Sequence, residues 1–313
     1  VALGVLRECA NRRHRVAAAP RLLPATTRAG WHAIDLDLLG SLLLRGGVLA
    51  LLIPVVDAAD GGLSRLWRLW GVGALLLALF SWWETRTAAS GREPLLDPRL
   101  RNTPGYVAGS VIGLVYFIGF TGVWLVLALY LQDGLGYSPL RSRLSVTPFA
   151  IGVAPSAVIA GRLVPRCGRW LTLFGLTAMV VGLLTTAMLL RHTAAESAQW
   201  VISGPLVVAG VGGGMVTSPN VTLTLEKVPV RMAGAAGGAL QTVQRIGAAI
   251  GTATLATIFY HVLNQTGHDY QAAVSDALLS TCAFMLLTLL IALGEVIWRR
   301  LHVGVGLAAR PGE

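Results

Sequence analysis

Residues 106–130 read YVAGSVIGLVYFIGFTGVWLVLALY, a run without a single charged side chain. Crossing a hydrocarbon core of about 30 Å takes roughly 20 mostly apolar residues. Within lipid every backbone N–H and C=O must find its partner inside the segment, so a run like this is a helix. Working outward in both directions, seven more stretches qualify: Leu38–Val56, Trp67–Trp83, Ser142–Val164, Trp170–Leu190, Trp200–Leu225, Ala233–Leu263 and Ala277–Trp298. Strand-like alternation, the mark of a membrane barrel, is missing from all of them. The fold class is therefore all-α: a polytopic transmembrane helical bundle of about eight spans.

Composition agrees. The 313 residues are 54% hydrophobic and 13% charged, and the mean hydropathy is +0.66. Soluble domains carry about 25% charged residues, because a water-facing surface needs polar cover. Tryptophans mark the span ends: Trp67, Trp70, Trp82 and Trp83 bracket one span, and Trp170, Trp200 and Trp298 stand at others. Indole rings favour the headgroup level. Cys9, Cys167 and Cys282 are isolated and form no CxxC pair, so neither a disulfide framework nor a zinc site follows.

The net charge of +10 raises nucleic acid as a partner, but its distribution argues for topology instead. With the N-terminus placed inside, the inner segments hold 18 of the 25 basic residues and the outer ones 5, with Arg45 and Arg245 within spans. The positive-inside rule then puts both termini in the cytoplasm of a plasma-membrane protein with no nucleic-acid role. An even number of spans requires the same. The expected organisation is a basic cytoplasmic loop over 1–37 that opens with VALGVL, read as the end of a truncated preceding span. Two central helices follow over 38–83, a cytoplasmic linker over 84–105, a six-helix bundle over 106–301 and a tail over 302–313.

Several strings are distinctive together: PLLDPRLRN at 94–102, LYLQDGLGYS at 129–138, PFAIG at 148–152, GRLVPRCGR at 161–169 and GAAGGALQTVQRIGAAIG at 234–251. They resemble the fourteen-helix drug:proton antiporter family (EmrB/QacA type) of the major facilitator superfamily. The resemblance covers nearly the whole chain and implies its C-terminal portion: two central helices, then the second six-helix bundle. It implies a secondary active transporter for multidrug efflux and antibiotic resistance, exporting drug-like small molecules or metabolites. Protons would be the coupling ion, and an N-terminal bundle would be the missing partner. No cofactor is implied. HExxH, GxSxG and GxxxxGK[ST] are all missing, so an enzyme or an ATP-driven pump is poorly supported. A non-transporting membrane remnant or scaffold subunit accounts for the same features.

On the resemblance, Gly161, Arg162, Arg166, Gly168 and Arg169 fall in a gating-loop motif whose pattern has Asp where this chain has Pro165. Gly161 would let helices approach, and Arg166 and Arg169 would latch one conformation by meeting a neighbouring carboxylate or helix end. Tyr116, Phe120 and Trp124, at i, i+4 and i+8, share a helix face and offer an aromatic wall for bulky apolar or cationic substrates. A packing stripe explains them equally. Asn220 is a further pathway candidate. Ionisable groups deep in spans point most strongly to function, because they are costly there. Arg245, with Gln241 one turn earlier and Gln244 beside it, is expected to face the interior or a wet cavity. Glu295, four residues before Arg299, is expected to make only that local pair. Breakers in two spans, Pro148 and Pro155, then Pro205, Gly210, Gly212–Gly214 and Pro219, are expected to supply kinks or hinges.

Overall fold

The computed structural model describes residues 37–56, 66–90, 100, 102–192 and 197–308. Residues 1–36 of the loop expected over 1–37, residues 91–99 and 101 of the linker before Tyr106, and the last five residues lie outside them. Residues Leu39–Glu313 form one unit, and Val1–Leu38 a separate one. Among the described residues eight α-helices follow in order: α1 (Leu38–Val56), α2 (Trp67–Ala89), α3 (Tyr106–Leu129), α4 (Pro139–Cys167), α5 (Arg169–His192), α6 (Ala198–Leu225), α7 (Ala233–Gln265) and α8 (Tyr270–Ala308). Helices α3 to α8 are each long and apolar enough to cross a membrane. The apolar stretch of α1, Leu38–Pro54, is shorter. Helix α2 has the length but carries Trp67, Arg68, Trp70, Trp82, Trp83, Glu84 and Arg86, which dilute its apolar character. It also runs through Ala89, so the linker expected from residue 84 begins later. Helix α8 likewise continues through Ala308 into the expected tail, running through Gly304 and Gly306.

Local chemistry sets the boundaries. Ser138 caps α4 by accepting from the Arg141 N–H at 3.3 Å, and Pro139 occupies the first helical position, where no N–H is needed. Asp269 caps α8, its Oδ1 accepting from Gln271 and Ala272 N–H at 2.9 and 3.0 Å. Between α4 and α5 the chain breaks at Gly168, whose φ of 52° suits a residue without Cβ. Asp133 and Gly134, residue types that favour a turn, lie inside helix instead. Tyr130–Gly134 is a π-helical extension of α3, closed by Leu135 N–H to the Tyr130 carbonyl at 3.0 Å. The positive φ falls two residues later, at Gly136.

In the bundle, α6 packs against both α4 and α5, α3 against α7, and α8 against α3, α5 and α7. The crossings are close because glycines meet backbone. A Cβ on Gly122 of α3 would lie 2.8 Å from the Gly251 carbonyl oxygen of α7, and one on Gly175 of α5 would lie 2.8 Å from the Gly212 carbonyl of α6. In membranes such contact supplies the packing that water expulsion cannot. Gly161, expected to do this, has only an ordinary contact to Ser218; Gly152, Gly210 and Gly214 make the tight α4–α6 crossing instead. In α7, Gly247 and Gly251 press on α3, whereas Gly234 and Gly238 meet open space. Helices α4 and α6 stay continuous through their prolines. Tyr116, Tyr130, Leu176, Met179, Leu183, Ile202 and Phe259 fill the centre of the core.

Candidate functional site

Two constellations stand out. The first is a cavity of about 500 Å³ bounded by α3, α6 and α7. Phe117, Phe120 and Thr121 line it from α3, Val221 and Leu225 from α6, and Leu240, Gln241, Gln244 and Arg245 from α7. The glutamines and arginine share this wall because three- and four-residue steps return to one helix face. Gln241 and Arg245 are exposed, as expected for polar groups beside an open, wet space.

The aromatic stripe divides. Phe120 is on the cavity wall, stacked on Tyr116 at 5.3 Å between ring centroids. Tyr116 itself is 1% exposed and belongs to the core. Trp124 meets the Phe149 ring edge-on at 4.6 Å. Phe117, one residue off the expected stripe, takes the wall position. Periodicity names the residues that share a face; only packing decides which way the face points.

The second constellation lies where α3, α5, α6 and α8 meet, at the end of the bundle holding the α4–α5 break. Arg169, the first residue of α5, is 9% exposed. Its Nε is 2.9 Å from Glu295 Oε2, held there by charge, and its Nη2 donates to Glu295 Oε1 at 3.2 Å. Its Nη1 donates to Asn220 Oδ1 at 2.7 Å, and Asn220 Nδ2 donates in turn to the Gly109 carbonyl of α3 at 3.0 Å. Arg299 adds a second cation to Glu295 Oε1 at 2.7 Å. A buried carboxylate is tolerable only with such company. The structure adds partners to two residues singled out in the sequence. Glu295 is a cross-helix partner of Arg169 as well as of Arg299, and Asn220 reaches the Arg169 network and Gly109 backbone. Of the motif arginines, Arg169 makes these contacts, while Arg162 and Arg166 are exposed. Alongside, a recess of about 450 Å³ is lined by Arg169, Trp170, Glu226, Arg299 and Arg300 among others, with the Arg300 guanidinium 5.2 Å from the Trp170 ring centroid. The sequence did carry a signal for the Arg169–Glu295 pair: a rare carboxylate inside a span needs more than one exposed partner.

Helices long and apolar enough to cross a bilayer, packed through glycines into a bundle with a polar-lined cavity on one flank, define a polytopic helical membrane protein. The chain belongs to the Major Facilitator Superfamily, whose profile matches residues 18–252. It is 31% identical over 246 residues to the "Probable actinorhodin transporter" of Streptomyces coelicolor, covering 77% of this chain and 41% of that protein. It is 33% identical to the puromycin resistance protein pur8 of Streptomyces alboniger over 247 residues, covering 76% of this chain and 47% of pur8. Against the cephamycin export protein CmcT of Amycolatopsis lactamdurans it is 30% identical over 286 residues, covering 87% of this chain and 54% of CmcT. The chain thus spans about half the length of the curated relatives it matches.

Proposed function

We propose that this chain is the C-terminal portion of a fourteen-helix, proton-coupled exporter of drug-like small molecules or metabolites, resident in the plasma membrane with both its ends cytoplasmic. The observation that carries the reading is the cavity with Arg245, Gln241 and Gln244 facing Phe117 and Phe120, in a bundle of the Major Facilitator Superfamily. Transporters built from paired bundles hold substrate between them near the midplane. The relatives named above support export or resistance as the outcome, and the strings at 129–138 and 234–251 support the fourteen-helix type. In this reading α1 and α2 are the central pair, an N-terminal bundle completes the cavity, and a titratable group there couples protons. Asn220 and Arg169 act with Glu295 as a latch at the cytoplasmic end, next to the loop motif that holds Gly161, Arg162, Arg166 and Gly168.

The test is flux by the full-length protein in proteoliposomes under an imposed proton gradient. Dye or antibiotic movement that stops when the gradient is collapsed is the expected result; identical flux without a gradient overturns proton coupling. Arg245→Ala abolishes export while the protein still reaches the membrane, and Arg245→Lys, which keeps charge but loses the planar fork, is partly active. Wild-type export by Arg245→Ala removes the residue from the mechanism. Orientation is tested in intact cells with an impermeant thiol reagent on single-cysteine variants: Gln271→Cys labels and Cys167 does not. The reverse pattern inverts the topology.

A further inference from the structure

Among the described residues lining the cavity between α3, α6 and α7, Arg245 is the single ionisable one. Elsewhere in the bundle Glu295 is engaged by Arg169 and Arg299, and Asp276 by Arg191. Gln241 and Gln244 flank Arg245 with amide groups that both donate and accept, and Phe117 and Phe120 supply flat apolar faces. A guanidinium offers five N–H donors in one plane and accepts nothing. It meets a carboxylate or an enolate-like oxygen pair with two parallel hydrogen bonds, and it stacks on planar ring systems.

Resting on the exporter reading above, we propose that the cavity takes planar aromatic molecules bearing a negative charge or a cluster of hydrogen-bond acceptors, and disfavours lipophilic cations. This reverses one expectation from the sequence, that an aromatic wall serves cationic substrates. The ring faces of Phe117 and Phe120 do attract cations. Arg245 adds a full positive charge to the same cavity, however, and a full charge repels cations and draws anions over a longer range than a ring quadrupole acts. The cavity's volume of about 500 Å³ lies within the range of drug-sized sites, roughly 300–1,000 Å³.

Two xanthene dyes of matched shape and opposite charge, fluorescein and rhodamine 6G, separate the alternatives. Fluorescence anisotropy titrations on the purified full-length protein at pH 8 are expected to show fluorescein binding about tenfold tighter than rhodamine 6G. Arg245→Gln erases the preference and Arg245→Glu inverts it. The Arg245 side chain is exposed, so Arg245→Gln is compatible with folding, which size-exclusion elution checks; if Arg245→Glu fails to fold, the glutamine variant decides. Rhodamine 6G binding as tightly as fluorescein overturns the proposal, as does a ratio unchanged in Arg245→Gln or no binding of either dye. Anion preference without gradient-driven flux in proteoliposomes would leave the charge selectivity standing and sink the exporter reading. Flux with no charge preference would do the opposite.

Discussion

At one end of the contact between α5 and α8, Arg169 meets Glu295 with side chains 8% and 6% exposed; at the other, Arg191 meets Asp276 with side chains 41% and 40% exposed. Both join the same two helices with the same chemistry. Their surroundings differ. The exposed pair sits where solvent screens it, loses side-chain freedom in pairing, and contributes little. The buried pair has given up its hydration, so each charge depends on the other and on the groups that fill its remaining hydrogen-bonding capacity, Asn220 and Arg299. An ion pair is thus a weak tether at one end of this bundle and a structural requirement at the other.

Removing one charge from the buried pair should have the largest effect. Arg169→Met leaves Glu295 with Arg299 alone and is expected to destabilise the bundle by about 3–5 kcal/mol, read as a lowered melting temperature in detergent. The double variant Arg169→Met/Glu295→Leu recovers most of that loss, because no buried charge stays behind unpaired: Arg299, whose side chain is 37% exposed, can turn to solvent. A single variant that melts like wild type would break the comparison. Asn220→Ala comes next. It strips one partner from Arg169 and one from the Gly109 carbonyl, for about 1–3 kcal/mol, and the same melting experiment ranks it below Arg169→Met. Smallest is Arg191→Ala, expected at about 0–1 kcal/mol. Raising salt should shrink that difference further, since exposed charges are screened within about 10 Å at 0.1 M. A salt-independent loss would show that the Arg191–Asp276 pair is sealed from solvent.

The helices were legible because hydrocarbon thickness imposes a length that apolar runs must meet. The range Leu38–Val56 for α1 matches at both ends. Elsewhere the ends moved wherever capping, not hydropathy, sets them: α4 begins at Pro139 because Ser138 caps it, and α8 at Tyr270 because Asp269 does. Arg245 was legible as a candidate because a charge deep in a span is expensive. The second partner of Glu295 was hidden, since Arg299 four residues away already explained it and Arg169 lies 126 positions distant. Phe117 was passed over for Tyr116 because a helical repeat fixes relative angle and leaves absolute orientation to the neighbours.

Helix α6 carries glycine on two flanks at once. Gly214 brings it against Val153 and Ser156 of α4, while Gly212, two residues earlier, brings it against Gly175 and Met179 of α5. A Cβ at Gly214 would fall 2.7 Å from the Val153 carbonyl oxygen and one at Gly212 2.6 Å from the Met179 nitrogen, distances that only backbone displacement could relieve. In a saturation-mutagenesis map, these positions would therefore form a band where alanine scores as badly as tryptophan. Three residues beyond Gly214, at exposed Thr217, ordinary size-dependent tolerance would resume.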